Sequence, residues 1–302
     1  MGKIAFLFSG QGDQFPGMGK TLYENSPAAK AVFDKCEAHR PGTIAQCFSG
    51  TEDELKQTVN AQPCLYAMEL AAVRMLEERG IRPAMAAGFS LGEIAAAAAA
   101  GVYDTETGFR LVCLRGELMQ SAAAAVDASM AAVVKLSDET VRALCARFEN
   151  VFPVNYNCPG QVTVSGVSEN MPAFCQAVKE AGGRAIPLKV GGGFHSPFMK
   201  EASEAFGEAL AKEELHTPSI PLYADLTGEH YGNDLVPTLS KQICSPVLWE
   251  KAVRAMIADG AEIFLEIGPG KTLTNMMKKI DPEAKAFAVC ELETWISEVI
   301  PS

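Results

Sequence analysis

The sequence has no C-x-x-C pair, no long apolar run and fewer basic than acidic side chains, and each absence excludes a class of protein. Its nine cysteines are scattered and odd in number, which favours reduced thiols over a disulfide framework or a zinc site. A formal net charge of −11 argues against nucleic acid as the main ligand. The most apolar run, residues 94–103, is too short and too rich in alanine to span a bilayer. We therefore expect a soluble, cytoplasmic protein that binds no metal, nucleic acid or membrane.

What the sequence does contain is a serine in a special turn. Residues 88–92, Gly-Phe-Ser-Leu-Gly, fit G-x-S-x-G, the turn that projects a serine hydroxyl from a strand end into the start of a helix. An apolar segment precedes it, and the alanine-rich stretch from Ile94 predicts a helix after it. Ser90 and Glu93 also have the spacing of a capping box, which predicts a helix that begins at the serine. Ser90 is therefore either a nucleophile or only a helix cap.

The order of strand and helix patterns predicts an α/β fold. Strands alternate with glycine loops and helices, which favours a parallel sheet with the reacting groups at the carboxyl ends of its strands. The pattern over residues 127–190 is β-α-β-β-α-β, typical of a ferredoxin-like unit. Strand patterns of the first kind return at 219–225 and 262–266. We therefore expect a large catalytic α/β domain at 1–126 and 191–302, interrupted by a small ferredoxin-like subdomain at 127–190.

A nucleophilic serine needs a general base, and the sequence has four histidines. Three have the surroundings of surface residues: His39, His216 and His230. His195 instead follows a glycine run and lies in an apolar loop, where a neutral imidazole would serve as a base near physiological pH. A histidine that only packs in the core is the alternative. No acidic residue stands out as a third triad member, so the Nδ1 proton of His195 has a backbone carbonyl as its expected acceptor.

Arg115 lies on the apolar side of a predicted helix. Its neighbours three and four positions away are all apolar, whereas Arg110 has Glu106 one turn before it and forms an ordinary surface pair. An arginine in such a place needs a carboxylate or carbonyl partner from elsewhere in the fold. It either binds a substrate carboxylate through its two-pronged guanidinium, or pairs with a distant structural acid or extends to the surface.

Eight short motifs follow one another along nearly the whole chain. They are Phe8-Ser9-Gly10-Gln11-Gly12-Asp13-Gln14, Gln62-Pro63, Gly88-Phe89-Ser90-Leu91-Gly92-Glu93, Arg115-Gly116 with Met119-Gln120, Asn155-Tyr156-Asn157-Cys158-Pro159-Gly160-Gln161, Phe194-His195-Ser196-Pro197, Gln242 with Ser245-Pro246-Val247-Leu248-Trp249, and Glu266-Ile267-Gly268-Pro269-Gly270-Lys271. Together they resemble the malonyl-CoA:acyl carrier protein transacylases of fatty acid and polyketide synthesis. The resemblance implies an α/β-hydrolase-like large domain with a parallel sheet and an inserted ferredoxin-like subdomain.

The resemblance also implies catalytic roles. Ser90 would be the nucleophile and His195 the base, and the backbone N–H groups of Gln11 and Leu91 would form the oxyanion hole. The backbone carbonyl of Gln242 would orient His195, which would explain the missing acid.

Further roles concern the substrates. Arg115 would hold the malonyl carboxylate, and Asn155 and Asn157 would bind the coenzyme A or phosphopantetheine arm. Four side chains would line the acyl pocket: Gln11, Gln62, Phe89 and Phe194. Two of these bear on selectivity: Phe89 replaces the usual histidine of the family, and Phe194 resembles the malonyl-selecting form.

The function so implied is ping-pong transfer of malonyl from malonyl-CoA to the phosphopantetheine thiol of an acyl carrier protein, which supplies extender units for fatty acid synthesis. Malonyl-CoA and the carrier would be substrates, no cofactor would be bound, and we expect a monomer. The alternatives are a trans-acting acyltransferase of a polyketide synthase, a serine hydrolase or thioesterase, and a non-catalytic carrier-binding module.

Overall fold

The computed structural model describes residues 2–188, 190 and 192–292. Its strands are β1 (Lys3–Phe8), β2 (Met85–Gly88), β3 (Ala128–Val134), β4 (Val151–Cys158), β5 (Gln161–Val167), β6 (Arg184–Pro187), β7 (Leu222–Tyr223), β8 (Ala261–Ile267) and β9 (Lys285–Ala288). Its helices are α1 (Lys20–Asn25), α2 (Pro27–His39), α3 (Thr43–Ser49), α4 (Glu52–Lys56), α5 (Thr58–Glu78), α6 (Leu91–Ala99), α7 (Thr105–Ala125), α8 (Asp138–Cys145), α9 (Met171–Glu180), α10 (Lys200–Leu210), α11 (Leu235–Lys241), α12 (Trp249–Ala258) and α13 (Thr272–Ile280). In these ranges no helix is both long and apolar enough to cross a membrane.

The larger sheet is parallel and has the strand order β7-β2-β1-β8-β9. Phe8 at the end of β1 lies opposite Gly88 in β2 and Ile267 in β8. The loops that follow these three strands therefore leave the sheet side by side. Side chains alternate across β1, so that Phe6 and Phe8 enter a core with α2, α5 and α7, while Ala5 and Leu7 pack with α12 and α13 on the other face. The predicted parallel α/β fold is confirmed.

The smaller sheet is antiparallel and has the order β4-β5-β3-β6. With α8 and α9 packed on it, its chain order is β-α-β-β-α-β, as the sequence predicts. The domain boundaries given for this unit stay a prediction. The last strand of the unit, β6, ends at Pro187.

Strand β4 also joins the small sheet to the large unit. The N–H of Tyr156 donates to the carbonyl of Val247 at 2.9 Å, and the N–H of Val247 donates to the carbonyl of Val154 at 2.9 Å. Val247 lies between α12 and a 3₁₀ turn at Gln242–Cys244. These two hydrogen bonds hold β4, which carries Asn155 and Asn157, next to the backbone that follows Gln242.

Candidate active site

Ser90 stands between β2 and α6 in a conformation that non-glycine residues rarely adopt, with φ 55° and ψ −104°. Such backbone strain persists only where the surroundings hold it, and it is common at reactive sites. The first turn of α6 lies directly against the end of β1, since a Cβ on Gly92 would lie 2.3 Å from the carbonyl oxygen of Phe8. Glycine at this position is what allows the serine turn to approach β1.

The predicted capping box is wrong. The Ser90 side chain makes no capping hydrogen bond, and Glu93 is fully buried with its carboxylate turned away from the start of the helix. Glu93 Oε2 accepts a hydrogen bond from Gln242 Nε2 at 2.7 Å, and Oε1 accepts one from the Tyr231 hydroxyl. The Ser90 hydroxyl is therefore free of a capping role.

His195 contacts both Ser90 and Gln242. Its Nε2 lies 2.7 Å from Ser90 Oγ, and its Nδ1 lies 2.9 Å from the carbonyl oxygen of Gln242. A carbonyl can only accept, so Nδ1 carries the proton and Nε2 is the acceptor of the Ser90 hydroxyl. Burial, together with the positive charge of Arg115, lowers the pKa of His195 to about 4, so the ring is neutral at pH 7. This is the arrangement of a general base beside a hydroxyl nucleophile.

Arg115 on α7 is fully buried behind the serine. Its Nη1 donates to Gln62 Oε1 at 2.9 Å, and its Nη2 donates to Gln242 Oε1 at 2.8 Å and to Ser90 Oγ at 3.2 Å. Nε has no partner, and no carboxylate of the described residues lies within ion-pair distance of the guanidinium. Burial lowers the pKa of Arg115 to about 10, which still leaves it charged at neutral pH. A buried cation in contact only with amide oxygens and a hydroxyl is suited to receive an anionic group.

Gln11 and Leu91 follow the neighbouring ends of β1 and β2. Leu91 is the first residue of α6, and Gln11 follows Gly10, whose Cβ would touch the carbonyl oxygen of Phe89 at 3.0 Å. In the described part of the chain, neither backbone N–H is used in a hydrogen bond to another protein group. Two unused N–H donors beside a hydroxyl nucleophile are suited to stabilise an oxyanion.

The four residues predicted for the acyl pocket are only partly brought together. Gln62 contacts Arg115, and Gln11 Nε2 reaches Thr58 Oγ1, one turn before Gln62 on α5, at 3.4 Å. Phe194 is buried in the core on the α5 and α7 side. Phe89 instead packs on the opposite face of the sheet, edge-on to Trp249 with ring centroids 5.5 Å apart. The Phe89 ring therefore faces both Trp249 and Gly10, the neighbour of Gln11, and the pocket roles of all four residues stay predictions.

Asn155 and Asn157 are buried on β4. Asn157 Nδ2 donates to Thr163 Oγ1 at 3.2 Å, but among the described residues the side-chain oxygens of both asparagines have no partner. Buried acceptors without a donor are costly unless something supplies one. An amide-containing ligand such as a pantetheine arm carries N–H groups of this kind.

Sequence reasoning missed Asp225 and the Gln242 side chain. Asp225 Oδ2 accepts the Ser90 N–H at 2.5 Å, and Gln242 Nε2 donates to the Ser90 carbonyl at 2.6 Å. A signal for Asp225 was present, because it closes the predicted strand 219–225, where functional groups of a parallel sheet gather. For the side chain of Gln242 the sequence offers no comparable signal.

Comparison with known proteins identifies chains that are similar in sequence to this one. The family model described as acyl transferase domain matches residues 5–297. The malonyl CoA-acyl carrier protein transacylase of Bacillus subtilis is 38% identical over 302 residues, which cover 97% of this chain and 95% of the relative.

Solved structures of similar proteins superimpose on this chain over nearly its whole length. A malonyl CoA-acyl carrier protein transacylase from Clostridium perfringens superimposes with a TM-score of 0.95 at 33% identity, covering 98% of this chain and 97% of the other. A type II PKS acyl-carrier protein in complex with its malonyl-transacylase contains a chain with a TM-score of 0.93 at 33% identity, covering 98% of both chains.

Proposed function

Because the chain belongs to the acyl transferase domain family, we propose that it transfers malonyl groups from malonyl-CoA to the phosphopantetheine thiol of an acyl carrier protein. The observation that carries the proposal is the contact between Arg115 Nη2 and Ser90 Oγ at 3.2 Å. In a malonyl group one methylene separates the carboxylate from the thioester carbon. A buried guanidinium that touches the nucleophile suits this short separation. The malonyl group so delivered is the extender unit of fatty acid synthesis.

In the first half-reaction, Ser90 Oγ attacks the thioester carbon of malonyl-CoA, and His195 Nε2 takes the hydroxyl proton. The backbone N–H groups of Gln11 and Leu91 stabilise the oxyanion of the tetrahedral intermediate. The carbon–sulfur bond then breaks, and the sulfur of coenzyme A leaves with the proton held by His195. The product is a malonyl ester on Ser90.

In the second half-reaction, the carrier's thiol gives its proton to His195, and its sulfur attacks the ester carbon. Ser90 Oγ leaves and regains the proton from His195. The carbonyl of Gln242 holds the ring in the same tautomer throughout, because it accepts from Nδ1 at 2.9 Å. Both steps therefore use one base and one oxyanion site.

Substrate selection depends on charge. The malonyl carboxylate pairs with Arg115, whereas an acetyl group leaves this buried cation without an anion. The unpartnered oxygens of Asn155 and Asn157 accept from the amide N–H groups of the pantetheine arm that both substrates share. We further propose that the chain acts as a monomer and binds no cofactor, because the malonyl thioester and the carrier's thiol are themselves the reacting groups.

The test is an intact-protein mass spectrum after brief incubation with malonyl-CoA, with acetyl-CoA in parallel. A malonyl adduct that is absent in Ser90→Ala, and that disappears when phosphopantetheinylated carrier protein is added, is the expected result. Ser137→Ala is the matched control, since Ser137 caps α8 away from the site and should not affect the adduct. An adduct that water removes as fast as the carrier protein does would indicate a hydrolase, and no adduct from either acyl-CoA would reject the proposal.

A further inference from the structure

The strained backbone of Ser90 is held by side chains from remote parts of the chain. Its N–H donates to Asp225 Oδ2 at 2.5 Å, and its carbonyl accepts from Gln242 Nε2 at 2.6 Å as well as from the Glu93 N–H at 3.2 Å. With φ 55° and ψ −104°, the residue has no intrinsic preference for this conformation. Outside contacts must therefore stabilise it.

Asp225 is itself fixed on both sides, so it can act as a rigid anchor. It follows β7 by two residues and is 1% exposed. Its carbonyl accepts the Leu248 N–H at 2.8 Å, and its N–H donates to Glu93 Oε1 at 3.3 Å. A side chain on such a backbone has little freedom to follow Ser90 if the turn relaxes.

We propose that Asp225 is a positioning residue for the Ser90 nucleophile. By accepting the Ser90 N–H, it keeps the turn in the conformation that directs Oγ to His195 and leaves the Leu91 N–H directed at the oxyanion. This role rests on the proposed function, because it assumes that Ser90 is the residue acylated. Asp225 does not touch substrate, and its effect passes through the geometry of Ser90.

What the hydrogen-bond pattern shows Asp225 to supply is an oxygen acceptor: Oδ2 accepts from the Ser90 N–H at 2.5 Å and lies 3.5 Å from the donor Gln242 Nε2. Burial raises the pKa of Asp225 well above its usual range, with the nearby Glu93 carboxyl raising it further. The contacts of the Glu93 oxygens are likewise with donors, from Tyr231, Gln242 and the Asp225 backbone. An asparagine at 225 would keep the acceptor for the Ser90 N–H and lose only the titratable group.

The experiment measures the single-turnover rate of malonyl transfer to Ser90 and the KM for malonyl-CoA in the full chain. Asp225→Leu has a similar size but no acceptor, and loss of a buried hydrogen-bond partner predicts a rate lower by about 10- to 100-fold. KM should stay within about twofold, because Arg115, Asn155 and Asn157 remain. Asp225→Asn should keep at least about one third of the rate, since the amide oxygen restores the acceptor.

The control is Asp104→Leu, which removes a carboxylate that accepts the Thr107 N–H at the start of α7 at 2.7 Å. It should lower the melting temperature without changing the rate of acylation. Equal rates in Asp225→Leu and the unchanged protein, or an Asp225→Asn variant as slow as Asp225→Leu, would overturn the positioning role. If Asp225→Leu does not fold, Asp225→Ala replaces it as the variant without an acceptor, and its rate is compared with that of Asp225→Asn in the same way. Failure of the unchanged protein to form the Ser90 adduct would instead reject the proposed function.

Discussion

Replacing Arg115 by alanine should destroy the preference for malonyl over acetyl groups while sparing much of the acyl transfer chemistry. The guanidinium is fully buried, and within the described residues its contacts are amide and hydroxyl oxygens only. Removing one partner of a buried ion pair costs about 3–5 kcal/mol, which corresponds to about 150- to 5,000-fold in malonyl kcat/KM. The malonyl carboxylate would be the group left without its partner.

Acetyl transfer has no such pair to lose. Of the hydrogen bonds that Arg115 gives to Gln62, Gln242 and Ser90, the one to Gln242 Oε1 bears most on acetyl transfer, because the amide end of Gln242 holds the Ser90 carbonyl. One hydrogen bond is worth about 1 kcal/mol, so acetyl kcat/KM should fall by less than about tenfold, or should rise if the vacated space admits the smaller group better. The malonyl-to-acetyl ratio should therefore fall by at least about 15-fold.

The assay is carrier-protein acylation from each acyl-CoA at equal enzyme concentration, with kcat/KM as the readout. Arg110→Ala is the matched control, because Arg110 lies on the same helix but is exposed and pairs with Glu213 at 3.1 Å. It should leave both rates and their ratio unchanged. A loss of equal size for malonyl and acetyl in Arg115→Ala would refute the carboxylate role and make Arg115 a structural residue.

Three further predictions concern pH, selectivity and packing. Malonyl kcat/KM should be level down to about pH 5 and should fall with a midpoint near pH 4, because His195 must be neutral to take the Ser90 proton and its pKa is lowered to about 4; a midpoint above about pH 6 would contradict this. Phe194→Ala should raise the methylmalonyl-to-malonyl ratio of kcat/KM by about tenfold, the worth of one methylene in an apolar pocket, and an unchanged ratio would remove Phe194 from the pocket. Gly92→Ala should abolish the malonyl adduct and lower the melting temperature, because its Cβ would lie 2.3 Å from a carbonyl oxygen of β1; Gly232→Ala, with no atom within 4 Å of its Cβ, should change neither, and a fully active Gly92→Ala would show that β1 can move away.

Local sequence patterns predicted much of the fold. The serine turn after β2, the parallel sheet and the β-α-β-β-α-β order of the small subdomain all follow from short-range periodicity and from glycine positions. Patterns were less accurate for short elements. The sequence predicted neither β9 nor α3, because a four-residue strand or a seven-residue helix has little periodicity of its own.

The polar network under Ser90 could not be predicted in this way. Glu93 looked like a capping residue because its spacing from Ser90 is local, but its side chain turns to Gln242 and Tyr231. Whether an acid in an alanine-rich helix caps that helix or is buried depends on which face of α6 other elements cover. Those elements are remote in sequence.

The sequence by itself predicted which groups carry the chemistry: a serine in a tight turn, a histidine in a glycine loop and an arginine on an apolar helix face. Only the tertiary structure decided how these groups are held. Ser90 is clamped by Asp225 and Gln242, which lie 135 and 152 positions away, and the same Gln242 contacts His195 and Arg115. The physical reason is that a hydrogen bond depends on the position of two atoms in space, and for residues so far apart only the packed sheet and helices set that position.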